Sequence, residues 1–232
     1  MEKSKSRPKI HRPMQIKITY YLDVASSWCF LAEPAWAALK DRYAGRVDFA
    51  WKIALMDAAG LPTSREQLGW FYRRSGTIMR SPFMLNTEWL QPGATEYPVR
   101  NFVAEAARDL GVIDDRVRLA LATAVLRDGK AADKWEVAAE IGAQAGGLDQ
   151  VKLLEHARSP AVEARVRAST AEFHALKVTQ RPTFVIDSEI GDRVVFSGCA
   201  TLPPLAAAAD AMLEDIAAYE SHAAHFGVPP PS

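Results

Sequence analysis

Residues 16–53 limit the possible folds more than any other stretch. Ile16, Ile18, Tyr20 and Leu22 alternate with Lys17, Thr19 and Tyr21, which is the period of a half-buried strand. Asp23 to Ser27 supplies turn and N-cap chemistry, and Phe30, Leu31, Trp36 and Leu39 then keep helical spacing to about Tyr43. Gly45 closes that helix, with Lys40 and Arg42 in its last turn, where cations suit the helix dipole. Val47, Phe49, Trp51 and Ile53 alternate again. Two strands joined by a helix of this length pair in parallel through a right-handed crossover.

The pattern changes after Leu61. Helical segments are expected over Arg65–Arg74, Val99–Leu110, Asp114–Arg127, Lys134–Ala145 and Gln150–Ala157, with breaks at Ser81-Pro82, Gln91-Pro92-Gly93, Gly111, Asp128-Gly129 and Gly146-Gly147. A further helix covers Pro160–Leu176. The apolar run Thr183–Asp187 then reads as a strand, a turn spans Glu189–Asp192, and Arg193–Phe196 returns as the second arm of a hairpin. An Ala-rich helix follows from Thr201 to about Tyr219. The expected division is a lead-in (1–14), an α/β unit in two pieces (15–61 and 159–220), a helical insertion (62–158) and a tail (221–232).

Composition excludes several classes. Lys+Arg 28 balances Asp+Glu 28, which argues against a general nucleic-acid binder. With only Cys29 and Cys199, neither a disulfide scaffold nor a thiolate zinc site can be built, and no metal is expected. There is no run of about 18 apolar residues, so no membrane span is expected. Met1–Pro13 is polar and basic with no apolar run behind it, so it does not read as a secretory signal, and a reducing cytoplasm is the expected compartment.

Four motifs carry a resemblance. Ser26-Ser27-Trp28-Cys29 follows the first strand and opens the first helix, and Pro34 sits five residues beyond Cys29. Arg181-Pro182-Thr183-Phe184-Val185 precedes and enters the third strand. Leu126-Arg127-Asp128-Gly129-Lys130 is followed by the run Glu140 to Asp149. In this order they resemble the thioredoxin fold with a helical domain inserted between its β-α-β and β-β-α halves. That is the architecture of DsbA-like oxidoreductases, 2-hydroxychromene-2-carboxylate isomerases and kappa-class glutathione transferases. The resemblance places the active site at Ser26–Cys29, makes Pro34 the kink proline, makes Pro182 a cis-proline, and implies a homodimer, since kappa-type relatives are often dimers.

A helix N-terminus presents unpaired N–H groups and partial positive charge, so an anion is stabilised there. A thiolate in that position has a lowered pKa and becomes a ready nucleophile. In the resembling family the first of the four positions carries that thiolate and the fourth resolves the mixed disulfide. Here the first position is a hydroxyl. Ser26 cannot form a disulfide with Cys29, so a dithiol cycle through this motif is excluded.

Three readings of Ser26 stand side by side. It holds the thiolate of bound glutathione, as the resemblance to kappa transferases and isomerases implies; it is a helix N-cap worth about 1 kcal/mol; or Cys29 acts alone as a one-thiol nucleophile. A cis bond at Pro182 exposes the backbone of Arg181 to an extended thiol peptide, with Ser27, Trp28 and Thr183 beside it. Arg181 itself either attracts an acidic substrate or lies solvated at the rim. Kappa transferases carry Ser-Asp after the glycine that opens the last helix; Cys199 and Ala200 stand there instead, so that glutathione anchor is missing. Cys199 reads as a packing residue, or as a redox partner of Cys29 if the two lie within bonding distance.

The aromatic and basic stretch from Trp70 to Arg74, with Arg80–Met84 and Trp89, is expected to line a pocket for an aromatic or carboxylate-bearing substrate, or else to form a helical core face. His222 and His225 read as surface residues. The leading expectation is a glutathione- or thiol-dependent transferase or isomerase acting on a small organic electrophile. The alternatives are a one-thiol disulfide oxidoreductase using Cys29, and a non-catalytic module that holds peptides against Pro182.

Overall fold

The computed structural model describes residues 15–91, 93–94 and 96–227. β1 (Ile16–Leu22), α1 (Ser27–Arg42) and β2 (Val47–Ile53) fall where the periodicities put them. β1 and β2 pair in parallel, from Ile16 opposite Val47 to Leu22 opposite Ile53. β3 (Thr183–Ser188) runs antiparallel to β1, and β4 (Arg193–Ser197) antiparallel to β3, giving the order β2-β1-β3-β4.

Trp36 on α1 anchors the crossover. It is fully buried, and its ring lies 5.2 Å from Tyr20 of β1, 5.4 Å from Phe49 of β2 and 6.1 Å from Phe184 of β3. One aromatic side chain therefore touches three strands, and burying it outweighs any single polar contact nearby. β1 differs from the half-buried strand that its alternation predicts, since Thr19 and Tyr21 are buried as well. The opposite face is covered by α7 (Pro160–Ala175), whose Phe173 packs against Tyr21 and Val185.

Between β2 and α7 lie α2 (Arg65–Ile78), α3 (Val99–Ala106), α4 (Arg116–Leu126), α5 (Trp135–Gly146) and α6 (Gln150–Ala157). α3 packs against α4, α5, α6 and α7 and is the hub of this block. The run Gly142 to Gly147 serves packing and termination. A Cβ on Gly142 would come within 2.9 Å of Val103 on α3, and Gly147 ends α5 in the left-handed region at φ 65°.

Several element ends differ from expectation. α2 continues past Arg74 to Ile78, and the last turn of the Val99–Leu110 segment tightens to a 3-10 turn over Ala107–Leu110. α4 starts at Arg116 because Asp114 bonds back to the Arg116 N–H as a turn. α8 (Leu202–Phe226) runs beyond Tyr219, so residues 221–226 belong to the helix and not to a tail. Nothing between Tyr219 and Gly227, where φ is 82°, breaks a helix. The lead-in 1–14 and residues 228–232 lie outside the described residues.

A buried ion cluster joins α1 to α4. Arg118, 2% exposed, donates to both carboxylate oxygens of Glu33 and to Asp115, while Lys40 and the Trp36 indole N–H also reach Asp115. Burial alone would raise the Asp115 pKa, but Arg118 and Lys40 hold it below the ordinary carboxylate value. Arg118→Met leaves Glu33 without its cation and Asp115 with Lys40 and Trp36 alone, and should cost about 3–5 kcal/mol in urea unfolding. Stability contributed by Asp115 is present above its unfolded pKa of about 3.9 and is lost as pH falls through the lower folded value. The wild-type urea midpoint should therefore drop in that acid window, and drop less in Arg118→Met.

Candidate active site

Asp23 fixes the approach to α1. Its carboxylate, 3% exposed, accepts from the Ala25 N–H at 2.8 Å, the Met56 N–H at 3.1 Å and the Asn101 side-chain amide at 3.1 Å. Asn101 also accepts from the Val24 N–H at 3.1 Å. The loop before α1, the chain leaving β2 and helix α3 are thereby held together. Asn101 gave no signal in the sequence, being one polar residue inside an apolar helical pattern.

Ser26 is the N-cap of α1. Its backbone is extended and its hydroxyl oxygen accepts from the Cys29 N–H at 3.3 Å. That bond uses a lone pair, and the hydroxyl proton remains to be donated either to the Cys29 sulfur or to a bound ligand. The Ser75 hydroxyl donates to Ser27 Oγ at 3.4 Å, tying α2 to the start of α1.

Ser26, Ser27 and Trp28 border a pocket of about 220 Å³. Phe71, Tyr72 and Arg74 of α2 form one side, Thr179, Gln180 and Arg181 another, and Trp89 closes it. The Trp89 indole N–H donates to the Tyr72 hydroxyl at 3.0 Å, and the buried Arg100 guanidinium lies over the Trp89 and Tyr97 rings at 4.6 and 4.9 Å. The aromatic and basic stretch is therefore divided. Phe71, Tyr72, Arg74 and Trp89 face this pocket, while Arg80–Phe83 border a different cavity and Trp70 is exposed.

Arg181 borders the pocket but is not solvated at its rim. Its guanidinium donates to the carbonyls of Ala54, at 2.6 Å, and Leu55, and stacks over Phe173 at 4.3 Å. Burial lowers its pKa from the ordinary guanidinium value. The Arg181–Pro182 peptide is cis, and Gly198 donates to the Pro182 carbonyl at 2.8 Å. Thr183 is buried, with its hydroxyl on the Gln180 carbonyl at 2.6 Å. Pro182 and Thr183 shape the loop without lining the pocket. Among the described residues, the backbone N–H and C=O of Arg181 have no hydrogen-bond partner.

The two cysteines are free thiols outside this lining. Cys29 is 2% exposed, and burial pushes its thiol up to about 12, against the opposing pull of a hydrogen bond with Ser26. Such a thiol stays protonated at neutral pH and packs as a small apolar group. Cys199 is partly exposed in the bend before α8, with its sulfur 3.6 Å from the Thr201 carbonyl. His222 and His225 lie at the exposed end of α8, and no group of three or more His, Cys, Asp or Glu among the described residues is placed to hold a metal ion. No helix among them is long and apolar enough to cross a membrane. Alkylation of the native protein near pH 8 should modify Cys199 alone, with Cys29 reacting only after denaturant is added. Peptide mapping that finds Cys29 labelled in the native state would overturn the assignment of a buried, inert thiol.

Comparison with known proteins agrees with this architecture. Structural neighbours include a candidate protein disulfide isomerase of Nitrosomonas europaea, with TM-score 0.71 and 16% identity over 87% of this chain and 98% of that one. The cytosolic disulfide reductase DsbM of Pseudomonas aeruginosa aligns with TM-score 0.66 and 17% identity over 90% and 99% of the two chains. DsbA of the same organism aligns with TM-score 0.59 and 17% identity over 93% and 91%. No curated protein matches. The family model of the DSBA-like thioredoxin domain matches residues 17–209, and the chain belongs to that family.

Proposed function

We propose that the Ser26 pocket binds the thiol of a small peptide of the glutathione class and activates it toward an organic electrophile, in a transfer or isomerisation reaction. The observation that carries this reading is the position of Ser26. It is a hydroxyl at the N-terminus of a 16-residue helix, on the wall of a pocket that also presents Arg74 and Arg181. The helix dipole, the hydroxyl proton and the two guanidinium groups all favour a thiolate over a thiol at that spot. The carbonyls that hold Arg181 are neutral and orient its charge, part of which the Asp23 and Asp57 carboxylates offset.

The unpaired backbone of Arg181 suits the main chain of an extended thiol peptide. Phe71, Tyr72 and Trp89 offer aromatic surface for the electrophile. Binding of glutathione finds a parallel in a neighbour, since the DsbM reductase has a structure with GSH. The cytosolic location stated for that neighbour favours a reducing compartment for this chain. The burial of Cys29 weighs against one-thiol disulfide chemistry and leaves peptide holding at Arg181 without turnover as the second reading.

Calorimetric titration with glutathione tests the proposal. Ser26→Ala should weaken binding roughly 10-fold or more, the scale of a lost hydrogen bond to a charged group. It should also cost about 1 kcal/mol of stability through the lost cap. Absence of binding in the wild type, or equal affinity in a folded Ser26→Ala, would refute it. Binding without turnover on a panel of electrophiles would select the second reading.

A further inference from the structure

A second, larger cavity of about 660 Å³ runs along α1 and shares no lining residue with the Ser26 pocket. Its walls are Phe30, Pro34 and Ala37 of α1, the segment after α2 that includes Phe83, and Leu119 of α4. The volume lies within the range of small-molecule sites, about 300–1,000 Å³, and the mostly apolar walls with a few charged groups at the edge match their usual character.

The charges at this cavity do not cancel. Glu33 and Asp115 share Arg118, Asp115 also takes Lys40, and Asp114 is gripped by Arg116. Every carboxylate on the lining is thus matched by a cation. Arg80 is left over. It is exposed and borders the cavity, and no hydrogen bond or ion pair engages its guanidinium among the described residues. Its backbone has φ 52°, a left-handed conformation that is uncommon for a long side chain. An apolar cleft with the surplus cation Arg80 on its lining, and with Arg127 stacked on Phe83 at 4.2 Å beside it, complements a ligand with an apolar body and a negative charge. A neutral hydrocarbon would forgo the Arg80 charge, and an organic cation would be repelled by it.

We infer that this cavity binds an amphiphilic monocarboxylate of medium chain length, its chain packed between Phe30, Pro34, Phe83 and Leu119 and its carboxylate on Arg80. The assignment does not depend on what the Ser26 pocket holds.

Calorimetry with decanoate below its micellar concentration tests it, using wild type, Arg80→Gln and Ala37→Trp. Both altered positions are exposed, and the indole at position 37 would fill the cleft. Saturable one-to-one binding is expected in the wild type. Arg80→Gln should weaken it about 10-fold or more, and Ala37→Trp should abolish it. Decan-1-ol should bind the wild type more weakly than decanoate by a similar factor, a comparison that needs no variant. Absence of saturable binding, equal affinity for acid and alcohol, equal affinity in Arg80→Gln, or binding that survives in Ala37→Trp would each overturn the inference. So would competition by glutathione, which would put the ligand in the Ser26 pocket. A wild-type dimer in sedimentation that Ala37→Trp dissociates would give this face to a second copy of the chain and overturn it likewise.

Discussion

A buried carboxylate that accepts three hydrogen bonds from three parts of the chain is costly to desolvate, and little of that cost is recovered unless all three donors are in place. Asp23 is such a group. Its partners come from the loop before α1, the chain leaving β2 and helix α3. The site at Ser26 therefore depends on an interaction spanning the sheet and the helical block between its halves. Neither part alone would hold Ser26 and Ser27 opposite α2. Arg181 acts in the same way from the far side, binding the carbonyls of Ala54 and Leu55 next to the residue that Asp23 holds.

The sheet and its first crossover could be read from the sequence because period-2 and period-3.6 patterns are local. Ile16 to Ile53 shows both without interruption. The covering of Tyr21 could not be read there, since it depends on Phe173, more than a hundred residues away. The site was legible as a location and less so as an arrangement. Ser26 stood out as a hydroxyl in a position where the family carries a thiol. Whether Arg181 faced water depended on Phe173 and on the carbonyls of Ala54 and Leu55, which are distant in sequence. Which part of the Trp70–Trp89 stretch faced Ser26 depended on how α2 is turned against α1. Asn101 was hidden because one buried amide leaves no periodic trace.

Helix α1 serves two surfaces. Its first turn presents the cap and the dipole to one pocket, while Phe30, Pro34 and Ala37 form a wall of another. The Glu33–Arg118–Asp115 cluster lies between the helix and α4 and fixes its orientation to both. Replacing such a cluster by apolar groups of the same shape is often neutral for stability, so its value here lies in registering α1 against the helical block.

The strand order carries a consequence for how the chain comes to be folded. β1 is made well before β3, one of its two partners, with the whole helical block between them. Until then β1 has only the parallel neighbour β2, and the edge meant for Thr183–Ser188 offers a row of unpaired backbone groups. Closing so large a loop is slow relative to local helix formation. The nascent protein thus passes through an interval in which the strand that ends up most deeply buried is open to any other strand that it meets, and helix α7, ready just before β3, covers the face that α1 leaves bare.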